Sequence, residues 1–160
     1  MENKIPFYNI LNMLLIGIVF STLLCFADLS KITIFSNYLS LIKTDYLIII
    51  VFIALMYEVG LVINRLSSVV LEPFLKFFKL IYWTDYRKYV KAQREDNFLV
   101  VLSREYALSR NSTALFFILT MIGLVCWNLT YSLEMLLLTI LFLMSTRKHS
   151  KKIHDRVLIK

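Results

Sequence analysis

Glycine and proline are scarce in this sequence, which contains three glycines and two prolines among 160 residues. So few turn-forming residues exclude a flexible linker and a glycine-rich phosphate loop. Two cysteines are too few for a disulfide framework, and the cysteines and the two histidines form no cluster with the spacing of metal ligands. The sequence also lacks a catalytic triad and a carboxylate pair, so we expect no enzyme activity, no cofactor and no metal ion.

The two cysteines, Cys25 and Cys126, each lie near the outer end of a different predicted helix. They could act as small buried apolar side chains, or meet as a disulfide in an oxidising compartment. The first alternative is favoured because neither cysteine lies in the exposed outer loop.

Apolar residues dominate the composition, at 59% with a mean hydropathy of +0.70, whereas soluble domains contain about 45–50%. A helix of about 20 apolar residues crosses a bilayer core. The apolar stretches are Pro6–Ala27, Tyr46–Ile63, Thr113–Thr130 and Leu133–Thr146. The last is short, at about 21 Å, and crosses if Arg147 and Lys148 reach the interface. A re-entrant fourth segment would instead leave the basic tail on the opposite side.

Positive charge is distributed unevenly between the segments that flank these stretches. Sixteen of the eighteen Lys and Arg residues are Lys4, nine in 64–112 and six in 147–160. The loop 28–45 has two, and the turn 130–132 has none. Because positive charge resists translocation, we expect both termini and the middle segment to be cytosolic. A cleaved signal peptide ending at Ala27 is disfavoured, because the first apolar stretch exceeds the typical length of about 7–15 residues.

These observations predict an all-α, multi-pass membrane protein. Its four transmembrane helices would form two hairpins, 6–63 and 113–146. A cytosolic helical insert, 64–112, would separate the hairpins, and a basic cytosolic tail, 147–160, would follow them.

The insert is predicted to begin with an amphipathic helix. Its apolar positions recur at three- and four-residue spacing, at Leu71, Phe74, Leu75, Phe78, Ile81 and Tyr82. Lys76 and Lys79 fall on other faces, and Trp83 ends the pattern. Such a helix could lie in the inner headgroup layer, or pack against the chain's own helices or a neighbouring subunit. Both alternatives remain open.

A basic run with interleaved tyrosines comes next, and its cations are Arg87, Lys88, Lys91 and Arg94. Beside a membrane, each cation gains about 1 kcal/mol from anionic lipid. Single-stranded nucleic acid is disfavoured because no nucleic-acid-binding fold signature accompanies the run. We therefore expect the insert to dock membrane lipid or a cytosolic protein.

Residues 98–108 predict a second short helix that returns the chain to the membrane.

Glu58 is an acid well inside a predicted membrane helix, where carboxylates are costly and normally have a partner. Arg65, seven residues on, is the partner expected within the chain. One interpretation is a pore-lining or proton-sensitive group, and the favoured one is an ion pair or hydrogen bond between helices or subunits. Asn64 and Arg65 join Glu58 as candidate pore or interface residues.

Other residues in the apolar stretches predict packing roles. Gly17, Gly60 and Gly123 would permit close helix approach. Asn128 would form a hydrogen bond between helices, and Glu134 would complement the N-terminus of the fourth helix.

The region 58–111 resembles a recurring type of small bacterial membrane protein. The residues that carry the resemblance are Glu58-Val59-Gly60, Asn64-Arg65-Leu66-Ser67-Ser68, Glu72-Pro73-Phe74-Leu75-Lys76, Leu102-Ser103-Arg104-Glu105 and Arg110-Asn111. In general make-up the chain is similar to membrane components of anti-phage defence systems, such as the four-helix Kiwa component KwaA and retron-associated membrane effectors. The resemblance implies an inner-membrane oligomer coupled to a cytosolic sensor.

The leading hypothesis is a homo-oligomeric membrane effector that a cytosolic partner or trigger switches to permeabilise or depolarise the membrane. One alternative is a scaffold that anchors a cytosolic partner. Another is a small proton-coupled exporter similar to the small multidrug transporters, which also use four helices and a membrane Glu.

Overall fold

The computed structural model describes residues 7–26, 46–82 and 84–159, of which 91% are helical and none forms a strand. The α-helices are α1 (Phe7–Phe26), α2 (Tyr46–Leu66), α3 (Glu72–Phe77), α4 (Tyr86–Glu95), α5 (Asn97–Val125) and α6 (Leu129–Leu158). The described chain contains four helices long and apolar enough to cross a membrane: α1, α5, α6 and the rod that continues from α2 to Phe77. The all-α prediction with four such helices is confirmed. The loop 28–45 and Trp83 lie outside the described residues.

Helices α5 and α6 are longer than the sequence predicted. They contain 29 and 30 residues, or about 43–45 Å, against about 30 Å for a bilayer core. α5 includes the residues 98–108 that were expected to form a separate helix, and α6 includes most of the basic tail. Arg, Lys and Glu are good helix formers, so a change from apolar to charged residues does not end a helix.

One seam joins α5 and α6 along nearly their whole length. The seam positions recur at three- and four-residue steps, similar to those of a coiled coil. They are Leu99, Leu102, Tyr106, Ser109, Thr113, Phe116, Thr120 and Gly123 on α5, and Ser132, Met135, Thr139, Phe142, Thr146, Ser150, Ile153 and Val157 on α6. All are buried or half-buried. Hydroxyl contacts Thr113–Thr146 (3.1 Å) and Thr120–Thr139 (3.5 Å) establish the antiparallel register.

Two glycines bring α1 and α2 into backbone contact. A Cβ atom on Gly17 would lie 1.7 Å from the carbonyl oxygen of Met56, and one on Gly60 would lie 1.8 Å from that of Met13. These two crossings run in opposite directions along the chain, so α1 and α2 are antiparallel. Gly123 similarly leaves room for Ser132 across the α5–α6 seam. The close approach expected of these glycines is confirmed.

A π-helical turn, Ser67–Leu71, joins α2 to α3 without a break. Its backbone bond runs from the N–H of Glu72 to the carbonyl of Ser67, one residue longer than in an α-helix. Pro73 follows at the start of α3 and lacks an N–H to continue the ladder. The wider turn therefore accommodates the residue that cannot donate a hydrogen bond, and the helix continues from α2 into α3.

The end of α3 differs from the predicted helix over residues 71–82. The chain leaves α3 after Phe77 through Lys79, which adopts a left-handed conformation with φ of 55°. The N–H of Lys79 donates to the carbonyl of Lys76 (3.0 Å), and that of Leu80 donates to Leu75 (2.9 Å). This pair of bonds is a Schellman motif, whose left-handed position is usually glycine.

Side-chain caps begin the last three helices. Asp85 and Asp96 accept from backbone N–H groups at the starts of α4 and α5. At α6, Asn128 Oδ1 accepts from the N–H of Tyr131 at 3.1 Å. The cap is therefore Asn128, and the capping role expected of Glu134 is wrong because α6 begins earlier, at Leu129. Cys126 is a free, exposed thiol, whereas the side chain of Cys25 is outside the described part.

Two apolar cores stabilise the helices. The larger lies among α1, α2, α5 and α6 and includes Ile16, Ile63, Leu115, Leu119 and Met135. The smaller lies beneath α4 and consists of Ala92, Leu99, Leu102 and Val157. The α5–α6 pair contributes to both cores and so connects the apolar end of the molecule to the charged end.

The glycine contact predicts that Gly60→Ala lowers the stability of the protein, although this substitution normally stabilises a helix. Alanine is a better helix former than glycine by about 1 kcal/mol, so an open site would be stabilised. Here the new methyl group would collide with the backbone of Met13, and we expect a loss of about 1–3 kcal/mol. Thermal unfolding in detergent micelles, followed by circular dichroism, measures the change. Ala54→Val, at an exposed position of α2, is the control, and an unchanged or raised Tm for Gly60→Ala would contradict the contact.

Candidate functional site

Five polar residues meet where the α2–α3 rod crosses α5, and we call them the junction cluster: Asn64, Ser67, Glu72, Arg110 and Asn111. Arg110 Nη1 donates to Glu72 Oε2 at 2.5 Å, and Nη2 donates to Asn64 Oδ1 at 3.4 Å. Only 11% of the Arg110 side chain and 18% of the Glu72 side chain are exposed. The ion pair therefore links α3 to α5 in a largely desolvated position.

Ser67 and Asn111 form the most deeply buried part of the cluster, at 0% and 1% exposed. The Ser67 hydroxyl lies 2.5 Å from the Asn111 side-chain amide and 2.8 Å from the carbonyl of Asn64. The single hydroxyl proton of Ser67 is donated to one acceptor at a time, so it is shared between Asn111 Oδ1 and the carbonyl oxygen of Asn64. The hydrogen bond to Asn111 holds the π-helical turn against α5.

Positive charge exceeds negative charge around Glu72. Lys76 Nζ lies 2.8 Å from the second oxygen of the same carboxylate, so Glu72 is shared between two cations. The guanidinium carbon of Arg110 lies 5.8 Å from the ring centre of Tyr106. The Nε of Arg110 is buried and has no hydrogen-bond partner among the described residues. Because burial weakens screening by water, removing either half of the ion pair would leave an uncompensated charge.

A cavity of about 310 Å³ opens beside the cluster, between α3, α4, α5 and α6. Its wall combines charged, hydroxyl and aromatic groups, from Glu72, Lys76, Tyr82, Thr84, Tyr86, Tyr89, Ser103, Tyr106, Arg110, Ser150 and Ile153. The hydroxyls of Tyr89 and Ser103 are hydrogen-bonded to each other. In the part of the chain that the structure describes, no three His, Cys, Asp or Glu residues come together as a metal site.

Glu58 and Arg65 lie on the outer face of α2 and are exposed. Neither forms an ion pair or hydrogen bond with another described residue, so the expected pair between them is not formed in the described chain. Their face continues at the same three- and four-residue spacing through the exposed positions Val51, Leu55, Val62 and Val69. Of the three candidates on α2, only Asn64 turns inward, to Arg110.

The basic residues of the insert are divided among three places. Arg87, Lys88, Lys91 and Arg94 are all exposed on α4, whose opposite side places Ala92 against α5 and α6. Lys76 contacts the junction cluster, and Lys79 is exposed in the turn after α3. Trp83 lies outside the described residues. The four cations of α4 thus form one solvated surface away from the cluster.

Comparison with known proteins adds no relative, because no protein-family model, curated protein or solved structure matches the chain.

Sequence reasoning singled out Asn64 but gave no role to Ser67, Glu72, Arg110 or Asn111. All five residues belong to the segments that carry the resemblance described above, and the structure brings them together across 44 residues of sequence in the Ser67–Asn111 contact. The sequence pattern that could have indicated the junction cluster is the pair of polar residues, Arg110 and Asn111, immediately before an apolar stretch.

The buried ion pair predicts strongly unequal effects of single and double substitutions. Arg110→Met leaves Glu72 buried without its closest partner, and we expect a loss of about 3 kcal/mol in the free energy of unfolding. Adding Glu72→Leu removes the orphaned charge and should recover most of that loss. Lys76→Met, which breaks a more exposed pair within one helix, should cost about 0.5 kcal/mol or less. Chemical unfolding in micelles tests the set, and additive losses in the double variant would contradict a coupled pair.

Proposed function

We propose that the protein is a homo-oligomeric effector of the bacterial inner membrane that couples a cytosolic partner or trigger to membrane permeabilisation. The observation that carries the proposal is Glu58. Its carboxylate is exposed on an otherwise apolar part of α2, with no partner in the described subunit.

The membrane placement follows from length and charge. Four helices are long and apolar enough to cross a bilayer, and the charged end contains the start of α5 and the end of α6. By the positive-inside rule this end is cytosolic, together with both termini. The two antiparallel pairs, α1–α2 and α5–α6, are then the two transmembrane hairpins.

Glu58 supports an oligomer for an energetic reason. A charged side chain that faces lipid costs about 2.5–3.5 kcal/mol at the centre of a membrane helix and less toward its ends, and Glu58 lies about 9 Å before Asn64, where the predicted insert begins. The cost falls if the side chain faces a water-filled path or another subunit. The exposed face Val51, Leu55, Glu58, Val62 and Arg65 has the spacing of a helix-packing seam. Copies related by an axis normal to the membrane would bring their Glu58 side chains to one level.

The coupling to a cytosolic partner rests on the continuity of the helices. The exposed cations of α4 offer a docking surface for an acidic partner. α4 packs on the cytosolic ends of α5 and α6 through Ala92, Leu99 and Val157, and the junction cluster connects α5 to the rod that contains Glu58. A partner bound at α4 would therefore act on Glu58 through packed helices.

An oligomer through the Glu58 face predicts selective crosslinking. In a background with Cys25→Ser and Cys126→Ser, Val62→Cys should form disulfide-linked dimers in isolated membranes treated with a mild oxidant. Leu141→Cys, which is also exposed but lies on α6, should give far less. Equal crosslinking at the two sites, or none at position 62, would contradict the proposed interface.

Permeabilisation through Glu58 predicts a specific loss of depolarisation. At a protein surface, a cation about 4 Å from a carboxylate gains about 4 kcal/mol. If conduction depends on this attraction, the loss of a third of the energy lowers the ion flux about tenfold. We expect induced expression of the native protein to depolarise bacterial cells, measured with a potential-sensitive dye, and Glu58→Gln to reduce the rate by that order.

The control is Glu134→Gln, which removes another exposed acid from an apolar helix and should behave as the native protein. An unchanged potential with the native protein would contradict permeabilisation. If the Val62→Cys protein still crosslinked, the anchoring-scaffold alternative would then be favoured. Equal activity of Glu58→Gln and the native protein would exclude a role for the carboxylate in conduction.

A further inference from the structure

A second cavity lies on the other side of Lys76 and is lined by cations. Its volume is about 350 Å³, and its lining residues are Lys76, Lys79, Ile81, Tyr82 and Arg147. No acidic residue belongs to the lining. Lys76 shares Glu72 with Arg110, and together with Lys79 and Arg147 it makes the described lining positively charged. Such a site attracts an anionic group such as a headgroup phosphate.

The backbone at Lys79 provides an independent observation. This lysine occupies the left-handed position of the Schellman motif, where glycine is normally found because other residues are strained. Strain of this kind is retained where the side chain has a task. Here the task is to place an ammonium group beside Arg147, which belongs to a different helix, in the lining of one cavity.

An apolar aromatic surface adjoins the cations. Phe74, Phe77 and Phe78 of the α3 region are exposed, Phe77 at 81%, and their rings contact one another at centroid distances of 4.6 and 5.2 Å. Lys76 and Lys79 alternate with these rings along the chain. A cationic pocket and an exposed apolar surface thus lie within a few residues of each other in the sequence. This combination fits an amphiphile with an anionic headgroup and acyl chains.

The cavity also lies where the apolar segments end. Arg147 directly follows the long apolar stretch of α6, and Lys79 lies two residues after the end of the α2–α3 rod. In the membrane placement proposed above, both residues lie at the level of the inner headgroups, where basic pockets between helices bind anionic phospholipid. Arg presents a fork of N–H donors that fits two phosphate oxygens, and Lys contributes a compact point charge.

We propose that the cavity formed by Lys76, Lys79 and Arg147 binds the phosphodiester headgroup of an anionic phospholipid, with the acyl chains beside Phe74, Phe77 and Phe78. The proposal rests on the membrane placement but not on conduction. Lipid binding is measured in detergent, so a protein that fails to depolarise cells can still bind, and a protein that does not bind can still depolarise them.

The test is native mass spectrometry of the full-length protein in a non-ionic detergent. Phosphatidylglycerol or phosphatidylcholine with identical acyl chains is titrated into the sample. We expect the native protein to retain phosphatidylglycerol preferentially, with one tightly bound molecule per chain. Near an anionic lipid each cation contributes about fivefold in affinity. Lys79→Ala with Arg147→Ala should therefore weaken phosphatidylglycerol binding about thirtyfold.

Two further variants separate the site from general charge and from misfolding. Lys151→Ala with Lys152→Ala removes the same charge one turn further along α6, outside the cavity lining, and should leave the tight binding unchanged. Lys79→Gly relieves the left-handed strain, so we expect an equal or higher Tm together with about fivefold weaker binding. Binding and stability are thus predicted to change in opposite directions.

Several outcomes would overturn the proposal. Equal losses in the two double variants would indicate diffuse attraction and no site. Equal retention of phosphatidylcholine and phosphatidylglycerol would exclude headgroup recognition. Glycerophosphoglycerol, which has the same phosphodiester headgroup without acyl chains, should compete only weakly, and if it bound as tightly as the lipid the ligand would be a soluble phosphate compound. Retained affinity in Lys79→Gly and in the Lys79→Ala, Arg147→Ala protein would place the lipid elsewhere.

Discussion

The antiparallel seam between α5 and α6 is the constraint on which the other parts of the structure depend. Its serine and threonine hydroxyls also bond to carbonyls in their own helix, as Thr113 does to Ser109 and Thr146 does to Phe142, each at 2.8 Å. These groups are small and internally satisfied, so the helices can approach closely without orphaned polar atoms. The seam continues past the apolar segment with Leu99, Leu102 and Val157. The α5–α6 pair therefore connects the apolar end of the molecule to its charged end.

The sequence predicted the long apolar helices because their signal is local: about twenty apolar residues in succession. It misplaced the ends of α5 and α6 because charge was taken as a boundary, although Arg104 and Arg147 are compatible with a helix and lie inside one. The seam was readable in principle from its three- and four-residue steps. It was missed because half of its members are Ser, Thr or Gly, which a search for apolar periodicity passes over.

The candidate site was less predictable, for a reason of geometry. The pairing of Glu72 with Arg110 spans 38 residues and depends on a π-helical turn that rotates α3 relative to α2. No local pattern specifies that rotation. The expected Glu58–Arg65 pair illustrates the opposite error: seven residues are two turns, so the side chains share a face but lie about 10 Å apart along the axis. The shared face made an ion pair between Glu58 and Arg65 plausible. Because of their separation along the axis, the pair does not form and both side chains are exposed on α2.

The location of the junction cluster has an energetic explanation. A desolvated ion pair is costly to bury, and the cost is smallest where one side remains close to water. The cluster lies beside a cavity and next to Lys76, whose side chain is 28% exposed, and Asn64 accepts a hydrogen bond from Arg110, so the charges are held outside the apolar core. The same carboxylate also faces the cationic cavity through Lys76. A headgroup phosphate there would compete with Glu72 for Lys76 and leave Arg110 as the main partner of Glu72. Occupancy of the cavity would therefore strengthen the link between α3 and α5, and through the continuous rod it would fix the orientation of the α2 face that contains Glu58.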